Sequence, residues 1–448
     1  MLPLKCTRKL ARLVAVGLSI SWLLTGCQSS VAPRPVAASA NSPLLTSWVA
    51  TSAASLQQPE LASSPETFRL QLLLTEIQRD NDGRPLIRQQ QYRADAEYLY
   101  PASTVKLAIA ALALEYLQQL AVYGVTADSV MQTEPLLPGD TLVDSDSSAA
   151  SGQPTVRHYV KKILLVSDND AYNRLYELMG QHYINTRLAA LGFTAAQILH
   201  RLERPLSAQD NRATNAVVFY DATGRLLFRQ PARVAPAMPA RPLTPVGNDY
   251  FKDGLLQGKP LDFSQKNRWT LADMHRLTQL IMLPESVPAA MRLQLPAADL
   301  HFLQQQMAQL PGESQDPRYD PALYWPAYVK FLLYGGAKDA QIDPRVHIHN
   351  KVGDAYGFLL DSAYVRDDCS GAEFILSAAL YVNQDGVLND DQYDYATVGL
   401  PMLKRLGELA LAHARAQAAT QAATQAATQA TNLTTTQATG QCQRTAHR

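Results

Sequence analysis

Ser103 and Lys106 stand three residues apart in Pro101-Ala-Ser-Thr-Val-Lys106, where an apolar run, Val105 to Leu120, reads as a buried helix. Residues three apart on a helix share a face, so the amine and the hydroxyl can meet. A lysine beside a serine accepts its proton once burial or nearby cations depress the lysine pKa. The positive helix N-terminus favours charge developing at the serine oxygen and near its backbone N–H. A second hydroxyl and an amide occur at Ser167-Asp168-Asn169, inside a helical stretch from Tyr159 to Gly180. There a hydroxyl can relay a proton to a leaving amine, and an Asn side chain can hold both a lysine and a substrate amide. Lys-x-Gly appears at Lys252-Asp253-Gly254 and at Lys351-Val352-Gly353. Only the second lies on a strand pattern, where the lysine would project into a cleft and the glycine would admit a substrate close to the backbone. Singly these motifs are weak: Ser-x-x-Lys arises by chance about once in a chain of this size, and an isolated Ser-Asp-Asn reads as a turn or cap.

The elements that must position them lie at both ends of a body spanning residues 67–416. Thr67 to Gln78 alternates as a strand, Asp80-Asn81-Asp82-Gly83 is a turn cluster, and Leu86 to Tyr92 reads as a second strand, giving a hairpin. Arg345 to Gly353, Phe358 to Arg366 and Glu373 to Asn383 are three further strand-like runs separated by Gly and Asp. Tyr395 to Ala416 carries helix-period apolar positions. This predicts an α+β fold, with an antiparallel sheet built from both termini, flanking helices and a mainly helical middle domain. The α/β part is expected at 67–102 and 345–416, and the helical middle, with an insertion, at 103–344.

Outside the body the sequence changes character. Lys5, Arg8, Lys9 and Arg12 precede an apolar run from Leu13 to Leu24, as in a secretory signal over residues 1–26. Leu24-Thr25-Gly26-Cys27 resembles the lipobox of bacterial lipoproteins, which implies cleavage before Cys27 and a lipid on it; Gln28 after that cysteine then implies the outer rather than the inner membrane. Residues 27–66, rich in Ser, Ala and Pro, read as a tether, with a poorly patterned first helix over Thr46 to Gln58 as the alternative, and 417–448, with its Gln-Ala-Ala-Thr repeats, as a low-complexity tail that its Ala content could join to the preceding helix. The whole chain balances 40 Lys+Arg against 40 Asp+Glu, which leaves no electrostatic footprint for nucleic acid. His347 and His349 share a strand face, but no third ligand stands at a known spacing, and no His-Glu-x-x-His or phosphate-binding Gly loop occurs, so no metal or nucleotide is expected. Cys369 and Cys442 remain to pair in an oxidising compartment.

Taken in order, Ser-x-x-Lys at a helix start, Ser-Asp-Asn in the middle and Lys-x-Gly on a late strand resemble the penicillin-recognising serine hydrolases, the class A β-lactamases and their DD-peptidase relatives. The context of Ser103 and the extension Ser167-Asp-Asn-Asp-Ala-Tyr-Asn173 bring the likeness closest to class A. The resemblance implies an acyl-enzyme on Ser103, with Lys106 as base and Ser167 shuttling a proton to the leaving nitrogen. Asn169 would orient substrate, and Lys351 would meet its carboxylate. The oxyanion hole would be the backbone N–H of Ser103 and of Asp354, the residue after Gly353. It implies no cofactor, and a monomer acting on a β-lactam or a cell-wall peptide at the periplasmic face of the envelope, held there by the lipid on Cys27.

The pattern also departs from the family. The deacylating glutamate of class A, in Glu-x-x-Leu-Asn, is matched in part by Glu203-Arg204-Pro205-Leu206-Ser207, with Asp210 a weaker substitute. Val352 stands where the family commonly has a Thr or Ser hydroxyl. Asn211 to Pro344 is much longer than the plan requires, with a hairpin expected over Ala216 to Arg229 and a Pro-rich stretch to Pro245. Tyr356 and Tyr364 are expected near the cleft, as core, rim or stacking groups. Three readings follow: a lipid-anchored β-lactamase, a DD-peptidase or related amidohydrolase, and a non-catalytic peptidoglycan-binding lipoprotein.

Overall fold

The structure, a computed structural model, describes residues 40–444. The expected signal segment, the lipidation site Cys27 and the start of the tether lie outside the described residues. In chain order the main elements are α1 (Pro43–Ser55), α2 (Glu60–Ser63), β1 (Gln71–Arg79), β2 (Pro85–Tyr92), α3 (Val105–Leu120), β3 (Val130–Thr133), α4 (Val156–Val166), α5 (Asn169–Ala190) and α6 (Ala208–Arg212). Short strands β4 to β11 follow between Ala213 and Asp262, then α7 (Leu271–Met282), α8 (Ala297–Ala308), β12 (Val346–Ala355), β13 (Phe358–Asp367), β14 (Glu373–Tyr381) and α9 (Leu400–Arg444).

The N-terminal hairpin and the three late strands form one antiparallel sheet in the order β12-β13-β14-β1-β2, as the sequence predicts. Alternation decides which core each strand side chain enters. Leu72 and Leu74 of β1 join Leu359, Ala363, Phe374 and Leu376 on one face, against Met402, Leu403 and Leu406 of α9. Leu73 turns to the other face and the core built around α3.

Three boundaries differ from the sequence reading. The tether was expected to run to residue 66, yet α1 docks on the sheet with α9: Ser42 caps it, and Leu45, Trp48, Val49 and Ala53 are buried. Its apolar positions gain a partner surface only once both chain ends meet. The repeat tail continues α9 as helix to Arg444 instead of separating at residue 417, since Ala and Gln sustain helix without a core. Third, α7 covers the sheet instead of belonging to the middle domain. Its His275 bonds Thr75 (2.7 Å) and Ser377 (2.9 Å), while Thr278 bonds Ser362 (2.7 Å). Burial pushes the His275 pKa down to about 3, so this seam is held by a neutral imidazole. The hairpin over 216–229 is present as β5 (Val217–Tyr220) and β6 (Leu226–Gln230), in a stretch of short strands up to Asp262 that precedes the helices α7 and α8.

Trp48 is 6% exposed and meets His413 of α9 edge-on at 5.6 Å. Trp48→Ala is expected to cost about 3 kcal/mol, read as a lower urea midpoint with unchanged denaturant slope. A loss below about 1 kcal/mol would mean that α1 does not close this core.

Candidate active site

Ser103 lies in a single 3-10 turn, Ala102–Thr104, leading directly into α3, with Ala102 at φ +45° and Thr104 Oγ1 donating to Pro101 O at 2.6 Å. All of α3 except Gln118 and Gln119 is buried, so Lys106, on its first turn, is held at 0% exposure. Ser167 ends α4 in a left-handed conformation (φ +60°, ψ +37°), and Asp168 caps α5 by accepting from the Ala171 N–H at 2.7 Å. The expected continuous helix through Ser167-Asp168-Asn169 is therefore broken there. The break swings the Ser167 hydroxyl and carbonyl back toward α3.

Lys106 Nζ donates to the Ser167 carbonyl and lies 3.1 Å from Ser167 Oγ; Lys351 Nζ lies 2.9 Å from the same oxygen and donates to Val352 O at 2.9 Å. Two buried amines thus meet one hydroxyl. Burial, opposed by Asp168, Glu203 and Asp354, pushes the Lys106 pKa down to about 7. Lys351 is driven well below its ordinary value by burial and then by Lys106. Near neutral pH, Lys106 is therefore poised between accepting and giving a proton.

The β12–β13 hairpin sets the other wall. Ala355 pairs with Phe358 across Tyr356 and Gly357, both at positive φ, a tight two-residue turn. Residues flanking such a turn exchange hydrogen bonds, and the ladder then alternates. The backbone of Ala355, Gly353 and Lys351 faces β13, whereas that of Asp354, Val352, Asn350 and Ile348 faces outward from this edge strand. The same alternation explains why Val352 O receives Lys351 and Ile348 O receives Lys330 (2.8 Å). It leaves the Asp354 N–H directed off the edge. A Cβ at Gly353 would lie 2.9 Å from Pro101 O and from Ser103 N, and 3.0 Å from Thr104 N, so only glycine lets β12 close on the Ser103 turn.

Ser103, Asn169, Glu203 and Asp354 line one cavity of about 810 Å³. Glu203 enters it from a loop anchored just before it, at Arg201 and Leu202, and just after it by the Arg204–Asp140 pair (2.7 Å). Asn173 clamps Leu202 through its N–H (2.8 Å) and carbonyl (3.0 Å), and the Arg201–Glu177 pair (2.8 Å) is fully buried. Glu203 itself has φ +53° and is exposed to the cavity. Crowding by the cavity walls raises the Asp354 carboxyl above its ordinary range, against the pull of Lys351 and Lys106.

All eight body residues singled out in the sequence converge here: Ser103, Lys106, Ser167, Asn169, Glu203, Lys351, Gly353 and Asp354. Others do not. Asp210 sits on α6, bonded to Ser207 (2.7 Å), away from the cavity. Tyr364 is buried in the sheet against Glu373 (2.8 Å) because its register position faces α7, whereas Tyr356 lines the cavity. Val352 enters the lower core beside Val346 and Ile348 and brings no hydroxyl to the cleft. Lys252-Asp253-Gly254 is a surface turn between β9 (Asp249–Lys252) and β10 (Leu255–Leu256). His347 bonds Asp368 (2.7 Å) and His349 bonds Gln304 O (2.9 Å). Sequence reasoning missed Tyr100, His200, Lys266, Tyr393 and Tyr395 on the cavity wall. Only the Asn-Asp-Asp-Gln-Tyr-Asp-Tyr run before α9 offered a local hint, as a turn with projecting aromatics.

Residues 88–286 match the family model described as the beta-lactamase enzyme family. The match includes the serines, Lys106, Asn169 and Glu203 and stops before Lys351. No curated protein matches the chain significantly. Among solved structures, the chain is similar to a β-lactamase from Desulfarculus baarsii, at 16% identity and a TM-score of 0.44, covering 81% of this chain and 97% of that one. A β-lactamase from Xanthomonas campestris pv. campestris gives 17% identity and a TM-score of 0.43, covering 82% and 97%.

Two outcomes follow from the geometry. Labelling of Ser103 by a fluorophosphonate is expected to speed up as pH rises through about 7, where Lys106 loses its proton, and to level off above. Lys106→Ala should slow it about 1000-fold and flatten the profile; an unchanged profile would remove Lys106 as the base. Gly353→Ala should cut the same rate at least about 100-fold, since backbone must shift from backbone; a near-normal rate would mean that β12 does not complete the site.

Proposed function

We propose that this chain, whose residues 88–286 match the beta-lactamase enzyme family, is a class A-type serine hydrolase that opens β-lactam amides through an acyl-enzyme on Ser103. The observation that carries the reading is the Ser167 hydroxyl held between Lys106 and Lys351, together with the Ser103 turn that β12 closes upon.

Ser103 Oγ attacks the carbonyl as Lys106 takes its proton. The developing oxyanion meets the N–H of Ser103 and the outward N–H of Asp354. Ser167 gives its proton to the departing nitrogen and is resupplied by Lys106, 3.1 Å away. Lys351 sets positive charge beside that leaving side, for the carboxylate of the substrate, and Asn169 on the opposite wall orients the acyl amide. Glu203 activates the water that releases the acyl group. Its exposure in the cavity and its anchored loop support this role.

The signal-like N-terminus and Cys27 support a lipid-anchored protein on the periplasmic face of the envelope, at the outer membrane. A DD-peptidase acting on cell-wall peptides is the second reading, favoured by Val352, which offers no hydroxyl to a β-lactam carboxylate.

A chain beginning at residue 40, mixed with a chromogenic cephalosporin and followed by intact mass and absorbance, tests this. Sustained product with a transient adduct, both lost in Ser103→Ala, is the expected result. Glu203→Gln should then trap the adduct and slow its release about 100- to 1000-fold. A long-lived adduct on the unmodified chain would transfer the assignment to the peptidase reading, and neither adduct nor product would overturn both.

A further inference from the structure

The Glu203 loop and the insertion that follows it leave and rejoin the body between His200 and Lys266 through one neck. Gln197 and Arg268 exchange backbone hydrogen bonds (2.8 and 2.7 Å), Asn267 Oδ1 accepts from the N–H of Leu199 (2.8 Å) and His200 (3.2 Å), and the Asn267 N–H donates to His200 Nε2 (3.1 Å). The excursion between these points carries Glu203 and most of the strand insertion. It also walls a second cavity, of about 530 Å³, behind the Glu203 loop. This cavity shares His200, Arg204, Pro205 and Lys266 with the cavity of Ser103, so the two adjoin across these side chains.

Its charge is one-sided. Among the described residues no Asp or Glu lines it, whereas Arg204, Arg212 and Lys266 do. Arg204 is answered by Asp140 at 2.7 Å. The others have no carboxylate. Arg212 reaches only the Ala235 carbonyl at 3.4 Å, and Lys266 only Tyr356, with its amine 3.3 Å from the hydroxyl and 5.3 Å from the ring centre. Arg241 adds a third cation behind the wall, its Nε donating to the lining Gln197 at 3.2 Å. Of the acids close along the chain, Asp210 is turned to Ser207 and Glu203, next to Arg204, faces the cavity of Ser103. Cations gathered on a concave surface without counter-ions focus a positive potential that a bound anion relieves, and a guanidinium meets a carboxylate in two parallel bonds.

The mechanism proposed above gives the direction. Ser167 and Lys351 mark the leaving side of the scissile amide, so the acyl side runs past Asn169 and Glu203 toward Lys266 and this chamber. We propose that the chamber receives the far end of the acyl arm, and that this arm ends in a carboxylate: the preferred substrate is an amide of a dicarboxylic acyl group. The inference rests on the acyl-enzyme reading for its orientation, and on the unanswered cations for its chemistry.

Binding to the Ser103→Ala protein, which does not turn over, separates the two. Two cephalosporins differing only in a phenylacetyl or a 4-carboxyphenylacetyl arm would be titrated by calorimetry. The carboxylated arm is expected to bind about tenfold tighter, with the advantage shrinking as salt rises. Arg212→Gln should bring the ratio to about one, and Arg212→Lys should restore part of it, as charge rather than fold requires. Equal affinities, no binding of either, or an advantage untouched by Arg212→Gln would overturn the inference. Acylation of the unmodified protein with equal affinities would sink the chamber alone; tighter binding of the carboxylated arm without acylation would sink the acyl-enzyme alone.

Discussion

The site is organised by a shared hydrogen bond: the Ser167 oxygen, with the amines of Lys106 and Lys351 at 3.1 and 2.9 Å. Two ammonium groups buried this close cannot both stay charged at ordinary cost, since each is penalised by desolvation and by the other. The fold meets this by giving the lysines backbone carbonyls, at Ser167 and Val352, as further partners. The strain is expressed as proton affinity. Lys106 falls to about 7, within reach of a serine proton that a free lysine amine near 10.5 would not be neutral to receive.

Holding three groups from three distant segments together demands a rigid frame. The apolar α3 fixes Lys106 and the Ser103 turn, the broken junction of α4 and α5 presents Ser167, and the edge of the sheet supplies Lys351. The edge strand serves two purposes at once: its alternation sends Lys351 toward the helical part and directs the Asp354 N–H outward. Gly353 allows the two surfaces to touch. β12 is thus a wall of the site because it has a neighbour on one side only; a strand paired on both sides would have spent those backbone groups on another ladder.

The Glu203 loop is held differently, by polar groups buried beneath it. Arg201 and Glu177 form a pair at 0% exposure, Arg201 also reaches Ala213 O and Asn215, and Asn173 replaces a strand partner for Leu202. Such a pair contributes little net stability but is costly to break, which makes it a fixed point. The insertion grows from the same loop and stands behind the wall that Glu203 forms.

What the sequence by itself determined was local. The five sheet strands followed from alternation and turn residues, the nature of α3 from its uninterrupted apolar run, and the serine and lysine motifs from their order, because each depends on neighbours a few positions away. Glu203 was legible only as a partial motif, and Asn173 only as part of one. The left-handed turn at Ser167, the docking of α1, the placement of α7 on the sheet and the convergence of His200, Lys266 and Arg212 behind Glu203 were decided by the tertiary structure. Each requires segments far apart in the chain to meet, and the physical terms that favour them, burial of an apolar face, a buried amine's need for carbonyls and cations left without counter-ions, exist only after those segments have met.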